Sequence, residues 1–296
     1  VCSSDLPRRA LVAAWERGVG PGVRGDVVLA PTPLAPPRRG RPLVVVVHDA
    51  VPWTHPSTLT PRGVAWHRRA VERAARDADL VVVPTHAVAR ALREHVRVDR
   101  LQVVGEGALL DLPPDAVARA TRMQLPERYL LTVATLEPRK GLDVLVPALR
   151  AVDLPLLCVG QPGWGGLDLP ALAAQHGVAD RVRVLGRVPD ADLAVLVDRA
   201  TALVVPSRAE GFGLPLLEAM RLGTPVLTSD TPALVEVGGG AAAVTALDDL
   251  PSALAALVAD PAALARLRAA GPVRAQAYTW DGAAAALWTA CDALTD

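Results

Sequence analysis

Two glutamates with seven residues between them, Glu210 and Glu218 in the stretch PSRAEGFGLPLLEAMRLGTP, are the residues best suited to chemistry in this chain. Ionised carboxylates only accept hydrogen bonds, so a pair of them suits a ligand rich in hydroxyl groups. Gly211 and Gly213 flank Phe212 and let backbone amides come close to such a ligand. Pro215 suits the first turn of a helix, where its missing N–H has no intrahelical partner. That places Glu210 on the loop and Glu218 in the first turn, with unpaired N–H groups and a positive dipole end available for an anion.

A second cluster, Arg139 and Lys140 in TLEPRKG, stands ahead of a helix beginning near Gly141. Two cations beside a helix N-terminus are mutually unfavourable unless something negative lies between them, and a diphosphate would resolve the conflict. His48 and Asp49 end the apolar run PLVVVVH. Singly, each of these residues has an ordinary explanation. A first-turn acid is favoured by the helix dipole by roughly 0.3–1 kcal/mol, Glu210 alone reads as a surface loop residue, and a lone His at a strand end is more often structural.

The elements that position these residues alternate between strand and helix, the pattern of a parallel sheet covered on both faces. In the first half the strands are 26–30, 42–48, 79–84 and 101–105, separated by helical stretches that open on Thr60 and Thr85 as caps. In the first helix Val64, His67, Val71 and Ala74 form an apolar stripe beside Arg68, Arg69, Arg73 and Arg76; a solvated face explains these arginines better than a membrane-facing one. Residues 111–129 read as a linker with a short helix. A second series follows at 129–135, 154–160, 181–186, 202–206, 225–229 and 241–246, and the segment from Pro272 to Leu294 reads as a closing helix carrying Trp280 and Trp288. In open parallel sheets ligands bind at the carboxyl ends of the strands. Every candidate residue named above follows a strand.

Composition narrows the classes. The chain has 296 residues, enough for two domains, and no apolar run approaches the roughly 18 residues of a membrane-spanning helix. Cys2, Cys158 and Cys291 show no CxxC spacing, so neither a zinc site nor a disulfide framework is indicated, and a reducing cytoplasm is the default. Zero net charge divides into +5 for residues 1–120, with 17 Arg against 12 acids, and −5 for the remainder, which argues against a general nucleic-acid binder. Among 31 basic residues Lys140 is the one lysine, and Phe212 is the one phenylalanine. Both rare residues fall in the candidate loops. The opening VCSSDL carries no secretory pattern and reads as what a sequencing-adapter end encodes, an assembly scar over residues 1–6 with the true N-terminus missing.

The order VHDAVPWTHP, LEPRKG and VPSRAEGFGLPLLEAMRLGTPVLTSD resembles the retaining glycosyltransferases of family 4, also called glycosyl transferases group 1, from about Asp26 to the end. The resemblance implies an α/β GT-B fold: two Rossmann-like domains with parallel sheets facing across a cleft. It implies an N-terminal acceptor-side domain over 1–118, truncated; a nucleotide-sugar domain over 119–275; and a helix over 276–296 crossing back to the first. By the same resemblance Arg139 and Lys140 hold the donor diphosphate and stabilise the leaving phosphate. Glu210 binds donor-sugar hydroxyls, Glu218 holds the nucleotide ribose, and His48 reaches the donor sugar. The backbone around Gly211, Phe212, Gly213 and Leu214 contacts sugar and phosphate, the Phe212 ring itself acting as a packing plug. The implied donor is GDP- or UDP-linked with mannose favoured by LEPRKG, the acceptor a glycan or lipid, with no cofactor and no metal. The implied place is the cytoplasm, with peripheral contact at the inner face of the membrane. The glycine-rich loop that the family carries near its N-terminus is absent, as is a basic residue at or near Thr135. The competing reading is therefore an inactive fragment that binds nucleotide sugar through its second domain. A GT-B epimerase or phosphorylase is disfavoured, because the one lysine lies in the phosphate-binding position and leaves no separate lysine to anchor pyridoxal phosphate.

Overall fold

The protein is described by a computed structural model covering residues 7–295; the VCSSDL segment, with Cys2, lies outside the described residues. The chain forms two compact units, one of residues 1–105 with 281–296, the other of residues 106–280.

The first unit is built on a four-stranded sheet in the order β1-β2-β3-β4: Val28–Ala30, Leu43–Val46, Leu80–Val83 and Leu101–Val103. Every pairing is parallel, with Val28 opposite Leu43, Val44 opposite Leu80 and Val81 opposite Leu101. The inner strands β2 and β3 are both LVVV runs, β-branched residues that pack on both faces of the sheet, whereas the edge strands expose Leu29 on β1 and leave Leu101–Val103 half-buried. Val44, Val45, Val81 and Val83 are fully enclosed. Thr60 caps the helix Pro61–Asp77 by accepting from the Gly63 N–H at 3.0 Å, and Thr85 caps His86–Arg93 by accepting from Val88 at 3.2 Å. On the first of these helices Ala70, Val71 and Ala74 are buried, whereas Val64 and His67 are half-buried. Its arginines are largely engaged: Arg68 donates to the Pro52 carbonyl at 2.8 Å, Arg73 to that of Trp15 at 2.6 Å, and Arg76 pairs with Asp77 at 2.8 Å.

The second unit carries a six-stranded parallel sheet in the order β10-β9-β8-β5-β6-β7. Its strands are β5 (Leu130–Val133), β6 (Leu156–Val159), β7 (Val182–Gly186), β8 (Ala202–Val205), β9 (Val226–Ser229) and β10 (Ala243–Thr245). From β5 the chain winds outward through β6 and β7, then returns to place β8 against β5 and winds the other way. The order reverses between β5 and β8. At such a switch point the two crossovers lie on opposite faces and leave a crevice at the carboxyl ends. Two apolar layers cover the sheet, one holding Leu131, Leu203, Leu216 and Met220, the other Leu130, Leu145, Leu156 and Leu254.

Three boundaries differ from the sequence reading. The second unit starts at Glu106, because Ala108 and Leu110 enter its core and Arg119 pairs with Asp192 at 2.7 Å, so the stretch read as a linker packs with the second sheet. The segment from Pro272 is two helices: Pro261–Ala275 runs through Pro272, and Trp280–Asp292 starts afresh after a break. The latter lays Ala290 and Cys291 on Val44, Leu80 and Val82 of the first sheet, with Trp280 and Trp288 exposed. Finally, the helix after β8 is Leu214–Arg221, so Glu218 is its fifth residue, past the first turn. Among the described residues no single helix is long and apolar enough to cross a membrane.

Candidate active site

The loops that leave β5 and β8 flank the switch point, and their sequences lock them together. After β5 the chain forms a three-residue 3-10 turn, Pro138–Lys140, and then enters the left-handed region at Gly141 with φ of +65°. A Cβ at Gly141 would stand 1.9 Å from the Pro206 carbonyl oxygen, so only glycine lets the two loops approach this closely. After β8, Gly213 has φ of +104°, and a Cβ there would meet Leu234 at 2.4 Å. That turn delivers the chain into Leu214–Arg221 with Pro215 in its first turn, as the sequence requires.

Three predicted residues meet in this geometry. Glu210 Oε1 accepts from Lys140 Nζ at 2.6 Å and from Ser207 Oγ at 2.8 Å, while Oε2 accepts from Arg139 Nη1 at 3.0 Å. Glu137 takes the other edge of the Arg139 guanidinium at 2.9 Å. The Glu210 side chain is only 10 % exposed, which corrects its reading as a surface loop residue. The anion between the two cations is Glu210 itself, a correction to the expectation that the pair needs a ligand to relieve its repulsion. Burial alone would raise the Glu210 carboxyl; the charges of Lys140 and Arg139, with hydrogen bonds from Lys140 and Ser207, outweigh it and hold the group below the ordinary carboxylate range.

Glu218 behaves differently. Burial, assisted by the charge of Asp190, pushes its carboxyl up to about 7. A first-turn acid stabilised by the helix dipole would be shifted the other way, so position and electrostatics both overturn that explanation. Phe212 is buried, and its ring meets Tyr278 edge-on at 5.4 Å, which anchors the loop from the core side. Gly211 is buried with it, and Leu214 is half-buried at the helix start. His48 belongs to the first unit: its Nε2 lies 2.9 Å from the Pro31 carbonyl, and it lines a cavity of about 300 Å³ with Asp49, Trp66 and His67.

Sequence reasoning missed the residues that support this cluster. Ser207 is buried; besides donating to Glu210, its carbonyl accepts from Ser229 Oγ at 2.6 Å and Thr231 Oγ1 at 2.7 Å, both in the TSDT stretch that ends β9. A run of hydroxyl residues at a strand end, beside two loops already suspected, was the available signal. Among the described residues no group of three or more His, Cys, Asp or Glu is placed to hold a metal ion.

Residues 117–270 match the family model described as glycosyl transferases group 1, and residues 6–110 match that of glycosyltransferase family 4. D-inositol 3-phosphate glycosyltransferase of Thermobispora bispora is 35% identical over 71% of this chain and 55% of its own length. That of Gordonia bronchialis is 30% identical over 84% and 60%. O-antigen chain mannosyltransferase B of Escherichia coli is 39% identical over 41% of this chain and 34% of its own. The chain thus spans 55% to 60% of the length of the first two relatives. Among solved structures, Anabaena HepE in complex with UDP and glucose aligns with a TM-score of 0.78 at 21% identity, covering 97% of this chain and 81% of its own. Sucrose-phosphate synthase of Thermosynechococcus elongatus aligns at 0.77 and 22%, covering 91% and 73%. Both likenesses bear on the fold, and with the two parallel sheets they give it as α/β of the GT-B class.

Proposed function

Since the chain belongs to the glycosyl transferases group 1 family, we propose that it is a retaining glycosyltransferase that moves a hexose from a nucleoside-diphosphate sugar to a glycan or glycolipid acceptor. The observation that carries this reading is the convergence of Arg139, Lys140 and Glu210 at the sheet's switch point, two cations and one carboxylate drawn from two loops. Arg139 and Lys140 receive the diphosphate and stabilise charge on the leaving phosphate. No metal or cofactor is needed for that neutralisation in this proposal. When the diphosphate takes over the cations, Glu210 turns its acceptor oxygens to the sugar hydroxyls, Glu218 takes the ribose, and the backbone of Gly211, Phe212, Gly213 and Leu214 meets sugar and phosphate.

We infer a route without a protein nucleophile, because in this proposal the Glu210 oxygens that Lys140, Ser207 and Arg139 hold here pass to the sugar hydroxyls rather than to the anomeric carbon. The acceptor oxygen then attacks the anomeric carbon from the face that the phosphate leaves, and a phosphate oxygen takes its proton. A retaining glycosidase would instead need a free carboxylate beside that carbon. Mannose is the narrower proposal, supported by LEPRKG and by the likeness to an O-antigen mannosyltransferase over part of the chain. We place the activity in the cytoplasm, with peripheral membrane contact through exposed arginines of the first unit such as Arg69.

The test is a panel of UDP-glucose, UDP-N-acetylglucosamine and GDP-mannose offered to the protein, with the product anomer read by NMR. Retained configuration with one donor supports the reading, and GDP-mannose as that donor supports the narrower one. Inverted configuration, or binding of none of the three, overturns it.

A further inference from the structure

Arg208 sits two residues before Glu210, and both terminal nitrogens of its guanidinium are engaged. Nη1 donates to the Pro138 carbonyl at 2.8 Å and to Asp143 Oδ1 at 2.7 Å, while Nη2 donates to Asp143 Oδ2 at 2.7 Å. Its backbone N–H donates to the Arg139 carbonyl at 2.8 Å. One residue of the β8 loop therefore holds two successive carbonyls of the turn that carries Arg139 and Lys140. Within the turn Lys140 N–H donates to the Glu137 carbonyl at 3.1 Å, Gly141 N–H to that of Pro138 at a long 3.4 Å, and Arg139 pairs with the Glu137 side chain at 2.9 Å; Arg208 ties this unit to the β8 loop. The reverse contact also exists, since Arg139 Nη1 donates to the Ala209 carbonyl at 3.1 Å.

A third cation beside Arg139 and Lys140 would add repulsion if its charge were open. Asp143 removes that difficulty with a two-point carboxylate pair, the strongest geometry available to a guanidinium. The fork then points at the turn and at Asp143. Lysine could not replace it, because a single ammonium cannot span both carboxylate oxygens and a carbonyl with a planar fork.

We infer that Arg208, braced by Asp143, is a positioning residue for the two phosphate-binding cations, fixing the Pro138–Lys140 turn against the loop that carries Glu210. The inference rests on the reading of Arg139 and Lys140 as the diphosphate site. It makes a demand that a merely structural arginine would not. Because the cations hold diphosphate, loss of Arg208 weakens sugar-free and sugar-linked nucleotides by the same factor.

The experiment is calorimetric titration of the whole chain with UDP, UDP-glucose, GDP and GDP-mannose, using wild type, Arg208→Ala, Arg208→Lys, Asp143→Ala, Arg208→Ala/Asp143→Ala and Arg139→Ala. Arg208→Ala is expected to weaken whichever nucleotide binds by roughly tenfold with and without its sugar, and Arg208→Lys to recover little of that. Asp143→Ala gives part of the same loss, and the double variant loses no more than Arg208→Ala, as for groups acting as one unit. Asp143 is exposed, so this arm carries the test if Arg208→Ala fails to fold. Wild-type affinity in both Arg208→Ala and Asp143→Ala, with affinity lost in Arg139→Ala, overturns the inference and leaves the donor site standing. No binding of any of the four nucleotides by wild type removes the donor site and the inference together.

Discussion

Glu210 and Glu218 lie on one continuous segment, yet the loop and the helix impose opposite fates on their protons. Both are shielded from water, and burial pushes both upward. On the loop, Lys140 and Arg139 close on Glu210 and reverse the effect. On the helix, Asp190 adds to burial and Glu218 ends at about 7. The difference teaches that the glutamate spacing combines two chemistries. Glu210 stays an anion that can only accept, whereas Glu218 changes between donor and acceptor near neutral pH. A diphosphate sugar presents both kinds of demand, cations and acceptors at the transferred group and a hydroxyl pair at the ribose.

Removing each carboxyl in turn tests that division most severely. Glu210→Gln keeps the shape but removes the acceptor charge that the proposed function sets at the reacting sugar, so on that proposal donor turnover should fall on the order of a hundredfold or more. Glu218→Gln retains a group that can donate and accept, so its loss should appear in the KM for donor, about tenfold at most, with kcat little changed. Steady-state kinetics on the two variants decides it; an equal loss in both kcat values would erase the distinction.

The comparison can also be broken from the other side, by making Glu210 resemble Glu218. Lys140→Met leaves a buried carboxylate with Arg139 as its remaining cationic partner, and half-broken buried pairs are costly. Chemical denaturation at pH 8 should show a loss of about 2–4 kcal/mol. Adding Glu210→Gln to that variant should restore part of it, because the stranded charge is gone. If Lys140→Met unfolds at the wild-type midpoint, the ion cluster contributes nothing to stability.

The two groups also tilt stability against pH in opposite senses. The pKa of Glu210 is depressed on folding, so its contribution is present above the unfolded value near 4.5 and is lost as pH falls through the folded one. That of Glu218 is raised to about 7, so stability is fullest below about 4.5 and declines as pH rises through 7. Glu218→Gln should abolish the second slope, gaining up to ~3 kcal/mol over wild type at pH 8 and little at pH 4.5. Urea midpoints across that range measure it; parallel curves for the two proteins would show that Glu218 titrates normally.

Much of this was legible beforehand, for identifiable reasons. All ten strands stood out as short apolar segments rich in Val and Leu, the pattern of a mostly covered parallel sheet, and the candidate loops followed because ligands gather at strand ends. Glu210, Arg139 and Lys140 were each found, but not their direct pairing, since Lys140 is 70 residues from Glu210 and only the β5–β8 pairing brings the loops together. Arg208 looked like any of 30 arginines until its fork was seen to fit Asp143 and Pro138. The break before Trp280 was hidden because Gln276–Thr279 contains neither glycine nor proline. Glu218 fell just outside the expected first turn because the helix starts at Leu214, directly after Gly213 and one residue ahead of Pro215.

The smallest effect separates the two causes acting on Glu218. Asp190 opens the helix Asp190–Arg199 and is exposed, so its charge is screened by water and salt, whereas the burial of Glu218 is not. Asp190→Asn should therefore lower the Glu218 midpoint by only a fraction of the whole shift, read from the carboxyl carbon signal in an NMR titration. The difference between variant and wild type should shrink further in 1 M salt, where screening acts within about 3 Å. Helix stability should drop by no more than about 0.3–1 kcal/mol, since Asp192 remains in the first turn. If Asp190→Asn instead returned Glu218 to the ordinary carboxylate range, a neighbouring charge would be the cause of the shift. Glu218 would then be the same kind of group as Glu210, tuned by its partner, and the contrast between loop and helix would reduce to the sign of one nearby residue.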